Sequence, residues 1–235
     1  MNLFQRLAGT FFSPQPTFKA LAERPKWLDA LVVLLVLFAV FSYLTAPYTQ
    51  KDQAELMRSS ARLKERMGED MFNKRLEALN NPSPASMLAR ALVISPLTFL
   101  VGLLLSGLVL LGMGRLVSTQ GNYKHVVSAL AHASFVDKLL GNAVRLFLII
   151  SKKSAMQAST SLALLFPRME VTSAAYVILG QIDFFQLWLF GILAYGLAHI
   201  FSISMKKALL ISYGFWLIKS LLYIGLGLFG LQYMR

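Results

Sequence analysis

Three histidines, two aspartates set in apolar sequence and a row of polar residues near position 140 are the side chains whose types and spacing could do chemistry. His125 and His132 stand seven residues apart, too far to grip one ion as an i, i+4 pair does. His199 lies elsewhere, and no HExxH occurs. With no cysteine, thiolate nucleophiles, disulfides and Cys-ligated metals are excluded. Neither a GxSxG nucleophile turn nor a GxxxxGK[ST] phosphate loop is present. Asp137 and Asp183 could form a carboxylate dyad, but neither lies in a short Gly-rich intramembrane motif. The chain is therefore read as a non-enzyme, with no cofactor and no metal.

The row near position 140 is different. On a regular helix Ser134, Lys138, Asn142 and Arg145 follow i, i+4, i+8, i+11 and share one face. Placing each such charge at membrane depth costs about 2.5–3.5 kcal/mol, so the stripe must face protein or a watery hollow unless the helix breaks near Gly141. Two readings follow. Lys138 and Arg145, with Asn142 and Ser134, hold an anionic group such as a lipid head group. Alternatively the charges pair for packing, with Asp137, Asp183 and Lys219 as the structural partners.

The elements that position these groups are membrane helices. Hydrophobic residues make up 56% of the 235, charged residues 14%, and mean hydropathy is +0.59. A globular domain carries about 25% charged residues, so much of this surface faces something other than water. The net charge of +12 fits basic loops against anionic lipid, and no nucleic-acid partner is inferred from it. Apolar runs predict spans at about 27–46, 87–114, 125–150, 181–202 and 208–231. Pro47 closes the first, and Pro96 kinks the second. The expected fold is an all-α integral membrane protein: a five-helix transmembrane bundle with short amphipathic interfacial helices.

Residues 1–26 read as a cytoplasmic, interfacial segment ahead of a membrane domain at 27–235. Phe4, Leu7 and Phe11 fall at helical spacing, with Arg6 placed to stay among head groups. The loop at 51–86 reads as two amphipathic helices separated at Gly68. One carries Leu56, Ser60, Leu63 and Met67 as a stripe and the next carries Phe72, Leu76 and Leu79. Leu56, Leu63, Met67 and Phe72 are the candidate partner surface. The apolar patch 162–166 is too short to cross a bilayer. Small residues such as Gly107, Gly114 and Gly196 permit close helix packing. Basic residues favour an N-terminus inside only when the acid-balanced loop between the first two spans is set aside.

Two stretches carry a resemblance. Leu3-Phe4, Phe12-Ser13-Pro14, Thr17-Phe18, Leu21 and Arg24-Pro25-Lys26-Trp27 resemble the start of prokaryotic members of the Yip (Ypt-interacting protein) domain family. Ile182-Asp183-Phe184-Phe185-Gln186-Leu187-Trp188, then Ala194, Gly196-Leu197 and Lys206-Lys207-Ala208, look like that family's fourth span and its sequel. The resemblance implies a five-helix bundle in the bacterial inner membrane with a cytoplasmic N-terminus. It also implies an adaptor or accessory subunit working with other membrane proteins, in some cases ABC-type exporters. Eukaryotic relatives bind small GTPases through a longer N-terminal region with a D-L-Y-G-P-like element. Residues 1–26 hold no such element, so GTPase binding is not expected here. The alternative function is a transporter-like or lipid-handling protein that binds an anionic lipid or substrate at the third span. Asp183 is expected at the N-terminus of the fourth helix, where the helix dipole favours a carboxylate.

Overall fold

The computed structural model describes residues 1–234, and among them the regular structure is helical throughout. In chain order the helices are α1 (Leu3–Phe12), α2 (Pro14–Glu23), α3 (Leu28–Ser59), α4 (Ala61–Met67), α5 (Glu69–Asn80) and α6 (Pro84–Ala89). A π turn, Arg90–Ile94, joins α6 to α7 (Ser95–Arg115). Next come α8 (Tyr123–Phe135), a second π turn (Val136–Gly141), α9 (Asn142–Lys152) and a 3-10 turn at Leu162–Leu165. The chain closes with α10 (Ala174–Leu179), α11 (Phe184–Phe201) and α12 (Met205–Met234). One isolated antiparallel bridge joins Ser161 and Asp183.

Four helical runs are long and apolar enough to cross a membrane: Leu28–Ser59, Pro84–Arg115, Phe184–Phe201 and Met205–Gln232. The run 123–152 is helical without interruption, yet Asp137, Lys138, Asn142 and Arg145 dilute its apolar character and it does not join that set.

The chain divides into two compact units. The first comprises Met1–Phe38, Pro96–Asn142 and Phe184–Lys219. Its core is built from Phe18 and Leu21 of α2, nearly all of α8, and Leu189, Phe190, Leu193, Leu197 and Phe201 of α11. Every residue of α8 from Val126 to Phe135 is buried. Close approach is bought by glycine at defined points: a Cβ on Gly196 would lie 2.7 Å from the Ala129 methyl and 2.8 Å from the Phe18 ring.

Arg6 of the N-terminal segment departs from its expected place. Asn2 and Gln5 cap α1 reciprocally, Pro14 opens α2, and both helices pack into this core. Arg6, expected among head groups, is 3% exposed. A guanidinium enters a core only where acceptors await it, and here Asp29 and His132 do so.

The second unit comprises Ala39–Ser95, Ala143–Asp183 and the chain from Ser220 onward. The expected stop at Pro47 is not a stop. The helix runs on through it to Ser59. Proline removes one donor, the N–H that would reach the Tyr43 carbonyl, and the helix carries on past that single missing bond. The stripe from Leu56 to Met67 is broken instead at Ser60, whose Oγ accepts from the Leu63 N–H at 3.3 Å and caps α4. Gly68, with φ at 75°, separates α4 from α5 in a conformation that side chains resist.

Candidate functional site

The polar row of the third helical run is the natural starting point, and the π turn at Val136–Gly141 decides its geometry. A π turn adds a residue to the turn, rotating everything after it by about 100° relative to a straight α-helix. Ser134 and Lys138 therefore lose their register with Asn142 and Arg145. The two basic residues also fall in different units, each with its own surroundings.

In the first unit the Lys138 ammonium lies 2.8 Å from the carboxylate of its neighbour Asp137, which is almost fully buried. The same ammonium sits 5.4 Å and 5.5 Å from the ring centres of Phe38 and Phe99. Two aromatic faces and one carboxylate form a complete cation cradle. The Ser134 hydroxyl is turned back on its own helix, donating to the Leu130 carbonyl at 2.7 Å. Asn142 is buried. Lys219, on α12, donates to the Gln186 side chain at 2.6 Å and lies 5.1 Å from the Phe190 ring centre.

Arg145, in the second unit, donates through Nη2 to both oxygens of Asp183 at 3.1 Å, and through Nε to the Thr160 hydroxyl at 3.1 Å. The Thr160 hydroxyl in turn donates a hydrogen bond to Asp183 at 2.5 Å. Three side chains, from α9, the loop after it and the residue before α11, thus close into a ring. Asp183 does precede the first residue of α11, but the Arg145 and Thr160 bonds occupy its oxygens as well.

A third charged cluster was not anticipated. Arg6 of α1 pairs with Asp29 of α3, and its Nε donates to His132 Nε2 at 3.2 Å. His132 in turn donates from Nδ1 to the Ser128 carbonyl at 2.8 Å. This fixes the tautomer: Nε2 carries no proton while it accepts from arginine. The sequence did hold a signal. Arg6 is the single charge in α1, and Asp29 is an acid at the threshold of the first apolar run.

The polar parts of the second unit are built as well. Asp52 accepts from the Ser154 hydroxyl at 3.1 Å and the Met156 N–H at 2.8 Å, pinning the loop after α9. Tyr176 donates to the Met156 carbonyl, and burial pushes its phenol above the ordinary value. On the outer surface, Lys64 bonds Glu69 at 2.7 Å, and that bond holds the Glu69 carboxyl below its usual range.

Of the candidate partner residues, Phe72 is buried, while Leu56, Leu63 and Met67 line a common hollow of about 530 Å3. No group of three or more His, Asp or Glu residues capable of holding a metal occurs among the described residues.

The Yip1 domain model matches residues 8–227. The chain belongs to the Yip1 domain family. The match begins within α1 and reaches far into α12, so Lys138, Arg145 and His132 lie inside this Yip1 domain, while Arg6 precedes the matched residues. No curated protein and no solved structure matches the chain. The Yip1 family and the apolar helices together make it a membrane protein.

Proposed function

We propose that this Yip1-domain protein is a non-enzymatic, five-span accessory subunit of a membrane complex. It would lie in the bacterial inner membrane with its N-terminus cytoplasmic, and recruit a membrane partner through the outward face of α4 and α5. The observation that supports this reading most is that the polar segment after the first span is folded into short helices. Their outer faces carry Arg62, Glu65, Asp70 and Lys74, with Met71 61% exposed among them. An exposed apolar side chain ringed by both charge signs suits a protein partner better than bulk water. The pairing of Lys138 with Asp137 and of Arg145 with Asp183 supports a structural role for the third-span charges.

Crosslinking from the membrane tests it. A photoreactive residue at position 71 is expected to capture one stoichiometric partner in native membranes, and Met71→Glu to reduce that complex about tenfold. Failure to crosslink from positions 62, 71 and 74, with the chain migrating alone on native gels, would sink the adaptor reading.

Five spans require the run 123–152 to cross. At about 1.5 Å per residue it is long enough. Its α8 half is enclosed by neighbours, so its side chains need not satisfy lipid. Single cysteines are clean reporters in a chain that has none. From the outer side, an impermeant maleimide is expected to label Thr172→Cys, and to reach Ser204→Cys only after permeabilisation. A four-span protein would give the opposite pattern at both positions.

A further inference from the structure

Three basic residues are met by carboxylates inside the protein: Arg6 by Asp29, Lys138 by Asp137, Arg145 by Asp183. The hollow of about 530 Å3 in the second unit breaks this habit. Its wall is apolar along Leu56, Leu63, Met67 and Leu79, cationic at Arg75 and Arg90, and contains no carboxylate. Neither guanidinium has an ion pair or hydrogen bond to another described residue. Gln50 lines the hollow too. It is 9% exposed. Gln50 and Arg90 also line a second hollow, of about 210 Å3, with Ser42, Thr45 and Thr49.

Two exposed guanidinium groups beside an apolar wall suit an anion that also carries an apolar part. The larger hollow falls within the roughly 300–1,000 Å3 of small-molecule sites. Arg90 stands six residues into the apolar run Pro84–Arg115, near the end where head groups lie. We propose that this hollow binds an anionic amphiphile. A phosphate or carboxylate head sits at Arg75 and Arg90, a glycerol or ester oxygen meets Gln50, and one alkyl chain runs along Leu56, Leu63, Met67 and Leu79. An acidic peptide would satisfy the arginines but would leave this apolar wall without its match. The inference does not rest on the adaptor reading: its contacts are Arg75, Arg90 and the apolar wall, and Met71 does not line the hollow.

The full chain, purified in a neutral detergent, is titrated with oleoyl lysophosphatidate, oleate, monooleoylglycerol and inorganic phosphate. The two anionic amphiphiles are expected to bind one to one. Arg75→Gln/Arg90→Gln should weaken both by about tenfold or more, the worth of a charge-assisted hydrogen bond. Monooleoylglycerol and phosphate alone should bind about tenfold more weakly than the intact amphiphile. Tighter binding of the lysophosphatidate assigns a phospholipid as the source, and parity with oleate assigns a free fatty acid. Undiminished binding to the double variant overturns the proposal. So does monooleoylglycerol binding as tightly as oleate, or a Glu-rich peptide displacing the amphiphile at lower concentration. Should the double variant not remain monodisperse, Leu63→Asn carries the test, with the same expected loss and the same contrary result.

Discussion

Asp183→Asn is expected to destabilise the protein by about 3–5 kcal/mol, the usual consequence of removing one partner from a buried ion pair. The size follows from what remains. Arg145 keeps its charge at a site where most of its side chain is covered, and Asn offers one neutral oxygen where the carboxylate received both Nη2 contacts and the Thr160 hydrogen bond. The loss is read as a lowered midpoint in denaturant titrations of the detergent-solubilised chain. Arg145→Met/Asp183→Met is the informative companion. Removing both charges removes the desolvation burden, so this variant is expected to fall near the parent or above it. If Asp183→Asn stays within about 0.5 kcal/mol of the parent, the pair behaves like a surface contact and its structural role is refuted. If the double variant is stable yet loses a bound anionic lipid or its partner, Arg145 does more than hold α9 to the loop.

The ring of Arg145, Thr160 and Asp183 also marks where reading the sequence reached its limit. That Arg145 and Asp183 needed company was legible, because unpaired charge in an apolar run is costly. That Thr160 would join them was not, since a threonine in a polar loop carries no periodic signal. The shared face of Ser134, Lys138, Asn142 and Arg145 failed to form for a related reason. Helical spacing assumes 3.6 residues per turn throughout, and the π turn Val136–Gly141 leaves no composition signature beyond the Gly141 that suggested a break. Local punctuation fared better: Gly68 ends α4, and Asn80-Asn81-Pro82 ends the helix after it. Pro47 misled because proline weakens a helix without forbidding it, and one missing bond does not end α3. The hollow holding Gln50, Arg75 and Arg90 was beyond reach. Its walls come from four stretches of chain, and only packing shows that no acid accompanies them.

Phe18→Ala is expected to cost about 3–5 kcal/mol, as large as any aromatic deletion from a soluble core. Phe18 is 0% exposed and belongs to α2, a helix whose sequence reads as a membrane-hugging lead-in. Phe4 and Phe12, on the neighbouring helix, are 79% and 88% exposed, and their replacement by alanine should move stability by no more than about 0.5 kcal/mol. Composition cannot separate these phenylalanines; burial can. The Phe18 ring rests where α11 has no side chain at Gly196, so Gly196→Ala should overpack the contact and cost about 1–3 kcal/mol. The two changes are coupled. A methyl at 196 grows partly into the space that Phe18→Ala vacates, so the double variant should lose less than the two singles together. Strict additivity would mean that the ring and the glycine do not share that space. A negligible Phe18→Ala effect would return α1 and α2 to the bilayer surface. With the expected result, the N-terminal helices are part of the folded bundle, and Arg6 reaches Asp29 and His132 because α2 anchors α1 beside them.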